Sequence, residues 1–231
     1  MFDRIVLSVE HGGNRIPAAY TDLFRSAADV LASHRGYDIG ALGTARFLAR
    51  KLQAPLFSST VSRLVVDLNR SPGHRALFSG YVGGLGTDEK ARVMERYYYP
   101  YRREIEAALE AEIRQGRRVL HLAIHSFVPE LDGHRRRADI GLLYDPARRI
   151  ERLACGKLRA WLLEIDPALR VRRNYPYRGT ADGLTTHLRK ALASPRYAGI
   201  EIELNQGRIA RDRERRRIAG ILKRAVRELL T

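Results

Sequence analysis

Two histidines and a glutamate stand where predicted strands of this sequence end. His11 follows an apolar run at residues 4–9, and His125 closes the apolar run that begins at residue 118. Glu203 lies in the alternating segment 199–205, the last predicted strand. Open α/β sheets bind their ligands beyond the carboxyl ends of the strands. The three side chains are therefore predicted to lie where such sheets carry out chemistry.

A fourth polar cluster occupies residues 62–72, whose middle is strand-like but carries Arg63, Asp67, Asn69 and Arg70. Charged groups are buried only when they are paired. Two interpretations follow: Arg63 and Asp67 pair with each other, or the segment borders a polar cavity that receives an anion. Arginine grips a carboxylate through two parallel hydrogen bonds, so an anionic substrate fits the second interpretation.

Together these residue types are the inventory of a metal-assisted hydrolase. Imidazoles hold Zn²⁺, a carboxylate takes a proton from water, and arginines bind an anionic substrate and its developing oxyanion. Each histidine alone is as typical of a hydrogen-bonded core residue or of a glycine turn, so the prediction depends on the set. A P-loop is absent, because Gly-Gly-Leu-Gly at residues 83–86 is not followed by Lys-Ser/Thr.

The composition indicates one globular α/β domain over residues 1–231. Of the 231 residues 45% are hydrophobic and 29% charged, and no apolar run approaches the length of a membrane span. The first residues lack the features of a signal peptide, and Cys155 is the only cysteine, so an internal disulfide or a cysteine-based metal site is excluded. We expect a cytoplasmic protein with no membrane partner.

The net charge of +16 would attract polyanions or acidic substrates. The excess consists almost entirely of arginine, with 37 arginines and 5 lysines, a bias that a GC-rich genome produces without selection for binding. A non-catalytic nucleic-acid-binding module that uses the basic residues 208–224 is the alternative from another functional class, and the dispersed charges support it only weakly.

Strand and helix patterns alternate along the chain, which predicts a three-layer α/β/α fold with a mostly parallel sheet. Residues 39–52 have helical spacing, with Asp38 as a candidate N-cap. Residues 88–116 predict two helices or one helix kinked at Pro100, and residues 146–164 predict a helix that buries Leu153. Residues 208–230 predict a closing helix with a solvated arginine face.

Several segments resemble, in chain order, the signature segments of the N-formylglutamate amidohydrolase family. They are Val-Leu-Ser-Val-Glu-His-Gly-Gly-Asn-Arg-Ile-Pro at residues 6–17, Ser-Arg-Leu-Val-Val-Asp-Leu-Asn-Arg at 62–70, Tyr-Tyr-Pro-Tyr at 98–101, Ile-His-Ser at 124–126, Ala-Asp-Ile at 138–140 and Ile-Glu-Leu-Asn at 202–205. The resemblance covers nearly the whole chain. That family is in turn similar to the zinc carboxypeptidases, which implies a phosphorylase/hydrolase-like fold and hydrolysis of an amide next to a free carboxylate.

The resemblance also implies roles for individual residues. It assigns His11 and His125 to Zn²⁺, and Glu203 to proton transfer. It assigns Asn69 and Arg70 to the substrate carboxylate. In this interpretation Arg63 stabilises the oxyanion, while Tyr177 and Arg178, in a turn-rich segment, contact the substrate.

The third metal ligand departs from the carboxypeptidase pattern. Zinc carboxypeptidases take a glutamate three residues after the first histidine, and this sequence has Asn14 there. The third ligand is therefore Asn14, Glu10, Asp67, another residue such as Asp38, or no residue at all.

The leading hypothesis is a zinc-dependent amidohydrolase that acts on a small acidic N-acyl amino acid such as N-formylglutamate. A zinc carboxypeptidase-like enzyme, or a cell-wall peptidase or amidase, is the alternative within the same reaction class. Membership of a family does not fix the substrate, because function depends on the site and not on the fold.

Overall fold

The structure is a computed structural model that describes residues 1–230. The strands are β1 (Arg4–Val9), β2 (Leu56–Ser58), β3 (Val119–Phe127), β4 (Glu130–Leu131), β5 (His134–Arg135), β6 (Ile140–Leu143), β7 (Val171–Arg173) and β8 (Tyr197–Asn205). The α-helices are α1 (Ala28–Ala32), α2 (Ala41–Leu52), α3 (Thr87–Val93), α4 (Tyr99–Arg114), α5 (Arg149–Ile165), α6 (Leu184–Leu192), α7 (Gln206–Ile209) and α8 (Asp212–Arg227). Within the described part of the chain, each helix is too short or too polar to cross a membrane.

Six strands form one mixed sheet in the order β2-β1-β3-β8-β6-β7. All neighbours are parallel except β6, which runs antiparallel to β8. Strands β4 and β5 form a separate hairpin. The sheet has helices on both faces, so the predicted α/β fold with a mostly parallel sheet is confirmed.

Helices α2, α5 and α8 cover one face of the sheet, and this face is apolar. Leu7, Leu122 and Ile202 point into it from neighbouring strands and are fully buried. These three strands are buried on both faces, as is usual for the central strands of a parallel sheet. This side of the sheet therefore supplies hydrophobic stabilisation.

The opposite face lies under α4 and α6 and combines a second buried hydrophobic cluster, which includes Val6 and Val119, with polar residues. Ser8, His121 and His125 are buried there, and His121 bonds the hydroxyls of Ser8 (2.8 Å) and Tyr197 (3.0 Å). Burial lowers the pKa of His121 to about 4, so this imidazole is a neutral core residue. Since strand side chains alternate, the same rule directs Glu203 to this face.

Three local predictions are wrong. Residues 62–70 form turns and not a strand, because Ser62 caps a turn in which its side chain accepts from Leu64 N (3.2 Å) and its carbonyl from Val65 N (3.0 Å). The N-cap of α2 is Gly40, with a φ of 83° that favours glycine, and the Asp38 side chain does not cap the helix. Leu153, predicted to be buried, is 46% exposed.

The helical region around Pro100 is more continuous than predicted. A π-helical segment, Met94–Tyr98, joins α3 to α4, and Pro100 lies in the first turn of α4, directly after this segment. The junction turns Tyr98, Tyr101 and Arg102 toward the polar face of the sheet, where all three are buried.

Gly141 in β6 pairs with Glu203 of β8, and its missing side chain is a packing requirement. A Cβ atom at this position would collide with the carbonyl oxygen of Tyr175 and lie 3.2 Å from Cβ of Glu203. We expect Gly141→Ala to lower the free energy of unfolding by about 2 kcal/mol or more, because neither the backbone at Tyr175 nor strand β8 can move freely.

Gly156→Ala in α5 is the matched control, since a Cβ there meets no neighbour within 4 Å. This change should stabilise the protein by up to about 1 kcal/mol through helix propensity. Urea unfolding measures both variants. Equal stability of Gly141→Ala and the wild type would contradict the packing requirement.

Candidate active site and metal centre

Two buried imidazoles face each other at the carboxyl ends of β1 and β3. His11 is the second residue after β1, and His125 lies in β3, two residues before its end. They are 2% and 3% exposed, and their ring centroids are 5.4 Å apart in a T-shaped arrangement. The structure thus brings together the two histidines that the sequence predicts as metal ligands.

Asp38 connects the two rings. Its backbone N–H donates to the carbonyl oxygen of His11 (2.9 Å), which fixes the loop before α2 against the end of β1. Oδ2 of Asp38 lies 2.9 Å from Nδ1 of His125 and 3.6 Å from Nδ1 of His11. One ligand atom from each of the three residues lies within 4.8 Å of the other two. Two imidazoles and a carboxylate can hold zinc and leave a fourth position open.

Asn14, one of the candidates that the sequence leaves open for the third ligand, lies at the surface. Its side chain is exposed, and its Nδ2 donates to the carbonyl oxygen of Leu31 at 3.0 Å. The amide thereby holds the loop after β1 against α1 and has no contact with the imidazoles. Asp38, one of the alternatives that the sequence leaves open, lies between the rings instead.

Two further carboxylates bind the outer nitrogens of the imidazoles. Nε2 of His11 lies 2.7 Å from Oδ1 of Asp67, and Nε2 of His125 lies 2.8 Å from Oε2 of Glu10. The second approach is short but not aligned as a hydrogen bond. Nδ1 of His11 is buried without a hydrogen-bond partner. Outer carboxylates of this kind orient metal-binding imidazoles in proteins.

Arg63 neutralises the carboxylate cluster from one side. Its Nη2 donates to Oδ2 of Asp67 (2.9 Å), and its Nη1 lies 3.5 Å from Oδ1 of Asp38. The sequence leaves two interpretations of Arg63 open, an internal ion pair and a place beside a cavity. The structure shows both, because the paired guanidinium also lines the cavity described below.

Charge pairing outweighs burial at the groups that touch the imidazoles. Burial opposes ionisation of Asp38, but His11 and His125 lower the pKa of this carboxyl far below its ordinary value. Burial likewise opposes protonation of His125, yet Asp38 and Glu10 raise the pKa of this imidazole well above its ordinary value. A metal ion would therefore displace protons from the cluster when it binds.

Glu203 stands beside His125 on the neighbouring strand, at the same level of the sheet. It is 5% exposed, and its Oε2 is buried without a hydrogen-bond partner. Burial raises the pKa of Glu203 to about 8; His125 opposes the rise, and Asp38 and Glu201 add to it. A carboxyl that titrates near neutral pH can both accept and donate a proton.

These groups open into one cavity of about 190 Å³. Its lining residues are His11, Asp38, Arg63, Asn69, Arg70, His125, Ser126, Leu143, Tyr177, Arg178, Ala181, Asp182, Glu201 and Glu203. The set includes both predicted histidines, Glu203, Arg63 and the four predicted substrate-binding residues, and it leaves out Asn14, Glu10 and Asp67 among the candidates for the third ligand. The lining is polar, with Leu143 and Ala181 as its only aliphatic members, which suits a small charged ligand.

Asn69 and Arg70 lie in a turn that Asp182 holds from the opposite wall. The carboxylate of Asp182 accepts from the backbone N–H (3.0 Å) and from the hydroxyl (2.5 Å) of Ser71. Oδ1 of Asn69 accepts from the N–H of Leu184 (2.6 Å), and Arg70 donates to the carbonyl of Asp182 (2.9 Å). Sequence reasoning misses Asp182, because an acid more than 100 residues away in a turn-rich segment gives no local signal.

Tyr177 and Arg178 are at the mouth of the cavity. Tyr177 is 45% exposed, and its hydroxyl accepts from Arg136 at 3.1 Å. The guanidinium of Arg136 also lies 5.2 Å from the centre of the Tyr177 ring. The mouth is therefore cationic, and an anionic ligand is attracted to it.

The comparisons with known proteins identify the family of the chain. A family model described as N-formylglutamate amidohydrolase matches residues 3–210. The crystal structure of gene product Atu2144 from Agrobacterium tumefaciens is similar with a TM-score of 0.81 and 30% identity, covering 98% of this chain and 92% of that one. N-formylglutamate amidohydrolase from Ralstonia eutropha JMP134 has a TM-score of 0.72 and 20% identity, with 98% and 93% covered, a likeness of fold alone. No curated protein matches the chain.

The raised pKa of Glu203 predicts a pH-dependent stability of the metal-free protein. The ordinary pKa is 4.5 and the folded value is about 8, so the folded state holds an extra proton between these values. The free energy of unfolding of the wild type therefore falls as the pH rises through this window, by the contribution of Glu203. Glutamine does not titrate, so the Glu203→Gln variant should not show this loss. The free energy of unfolding of the variant minus that of the wild type should therefore be larger at pH 9 than at pH 5, by on the order of 3 kcal/mol.

Urea unfolding of chelator-treated protein at both pH values measures the difference. Glu104→Gln, on the exposed side of α4, is the control and should give the same difference at each pH. A pH-independent effect of Glu203→Gln would show that Glu203 does not keep its proton in the folded state.

Proposed function

This chain belongs to the N-formylglutamate amidohydrolase family, and we propose that it is a zinc-dependent hydrolase of small acidic N-acyl amino acids such as N-formylglutamate. One observation carries the proposal. Nδ1 of both imidazoles and a carboxylate oxygen of Asp38 converge in the cavity that also holds the unpartnered carboxyl of Glu203. Metal ligands and a group for proton transfer thus share one small space.

The donor set fits a catalytic zinc ion. Nδ1 of His11 is a buried nitrogen with no hydrogen-bond partner, which is costly unless a ligand completes it. Two imidazoles with one carboxylate are a ligand set, in type and number, that catalytic zinc sites use. Bound there, zinc would supply Lewis-acid chemistry, because it acidifies water and polarises a carbonyl oxygen.

Glu203 moves the proton in the proposed reaction. Its carboxylate takes a proton from the attacking water, whose oxygen forms a bond to the acyl carbon. As the C–N bond breaks, Glu203 passes this proton to the amine nitrogen, so the products are a free carboxylic acid and an amino acid. A pKa near the working pH allows the group to serve in both steps.

Arginines bind the charges of the substrate. Arg63 lies beside Asp38 and lines the cavity, so it stabilises the oxygen that becomes negative when water adds. Arg70 and Asn69 bind the α-carboxylate, because they line the cavity at the turn held by Asp182. Nε of Arg70 is buried without a partner and is a donor for this carboxylate.

The proposal predicts that the zinc-loaded wild type hydrolyses N-formyl-L-glutamate and that Glu203→Gln keeps the zinc but loses about 10²- to 10⁴-fold in kcat. His125→Ala should lose both zinc and activity, because it removes a ligand. Release of amino acid measures the rate, and elemental mass spectrometry of tag-free protein measures the metal.

Glu104→Gln is the control and should match the wild type. N-acetyl-L-glutamate, N-formyl-L-leucine and a dipeptide with C-terminal glutamate complete the substrate panel. Preference for the dipeptide would favour a carboxypeptidase-like activity. Retention of most activity by Glu203→Gln, or activity that survives removal of zinc, would contradict the mechanism.

A further inference from the structure

Two arginines are buried in the part of the chain that the structure describes, and they are held in different ways. Arg189 pairs with the carboxylate of Glu151 at 3.0 Å and donates to the carbonyl of Gly199. Arg102, 4% exposed, forms no ion pair with any carboxylate of residues 1–230. A buried guanidinium without a counter-charge is costly, so its retention requires a compensating interaction.

The contacts of Arg102 lead to the turn that carries Asn69 and Arg70. Its Nη1 donates to the carbonyl oxygens of Leu68 and Arg70, both at 3.1 Å. Tyr98 donates to the same Arg70 carbonyl at 2.6 Å, and the guanidinium of Arg102 lies 5.0 Å from the centre of the Tyr98 ring. Nη2 of Arg102 has no partner. The main chain of the turn is therefore fastened to α4 by a full positive charge.

These bonds fix the direction of the turn. Arg102 draws the carbonyl oxygens of Leu68 and Arg70 to its own side, while the side chains of Asn69 and Arg70 line the cavity. The carbonyl oxygens of the turn thus point toward α4. The positive charge of Arg102 lies on the side of the turn opposite to the side chains of Asn69 and Arg70. An anion in the cavity would be the missing counter-charge, since charges interact strongly in a water-poor interior.

We propose that Arg102 is a positioning residue for the substrate α-carboxylate: it holds the Asn69–Arg70 turn and adds an uncompensated positive charge behind it. The proposal rests on the proposed function, because that function places the carboxylate at Asn69 and Arg70. It explains why a helix position next to the exposed Arg103 carries a buried arginine whose hydrogen-bond partners are carbonyl oxygens.

The test uses the full-length protein with Arg102→Met, Arg102→Lys and the control Arg103→Met, which removes a charge from the exposed neighbouring position. Calorimetry measures the binding of L-glutamate and of L-isoglutamine, which differ only in the α-carboxylate and the α-amide. Steady-state kinetics give kcat and KM for N-formyl-L-glutamate.

Arg102→Met should weaken glutamate binding and raise KM by about 10- to 100-fold, the loss expected for charge-assisted bonds. The kcat and the affinity for isoglutamine should change less than about threefold, because the reacting groups are untouched. Arg102→Lys should lose less, since it keeps the charge but not the planar donor. Arg103→Met should match the wild type.

Equal losses for glutamate and isoglutamine, or a fall in kcat at constant KM, would overturn the proposal, because a general loss of structure acts on both ligands. If Arg102→Met does not fold, Arg102→Lys serves as the test. The ratio of its affinities for glutamate and isoglutamine should then be lower than that of the wild type, and an unchanged ratio would overturn the proposal. Arg102-dependent glutamate binding without hydrolysis of any N-acyl amino acid would support this proposal and overturn the proposed function. A wild type that binds isoglutamine as tightly as glutamate would overturn the positioning role together with the placement of the α-carboxylate at Asn69 and Arg70, whereas the zinc-dependent hydrolysis would stand or fall by its own test.

Discussion

The carboxylate of Asp38 between two buried imidazoles is the interaction on which the site depends. One oxygen of this carboxylate lies 2.9 Å from Nδ1 of His125 and 3.6 Å from Nδ1 of His11. The backbone N–H of Asp38 donates to the carbonyl oxygen of His11. Removed from water, neither imidazole nor carboxylate is stable alone. Further charged groups therefore surround the two imidazoles. Asp67 contacts Nε2 of His11, Glu10 contacts Nε2 of His125, and Arg63 forms an ion pair with Asp67.

The sheet separates this buried charge from the hydrophobic cluster on its other face. One face of each central strand is apolar and packs against α2, α5 and α8. The other face carries Ser8, His121, His125 and Glu203 beneath α4 and α6. Because strand side chains alternate, a single run of residues builds the core and the site together. A shift of register by one residue would exchange the two faces.

Local periodicity predicts the parts of the site that lie on strands. His125 and Glu203 follow from the alternation of β3 and β8, and the parallel pairing puts them side by side. Asp38 and Asp182 depend on contacts between segments far apart in the chain, so no spacing rule identifies them. Arg102 resembles a solvated helix residue until the turn at residues 68–71 is seen to pack against it. Residues 62–70 mimic a strand because buried turns also favour apolar runs.

The most direct measurement is anomalous scattering at the zinc edge from crystals of the zinc-loaded protein. We expect one peak within about 2.0–2.2 Å of Nδ1 of His11, Nδ1 of His125 and an oxygen of Asp38. A peak at Nε2 of either histidine, with Asp67 or Glu10 as ligand, would contradict this assignment of inner and outer carboxylates. Zinc bound elsewhere, or none at the histidines, would contradict the metal centre itself.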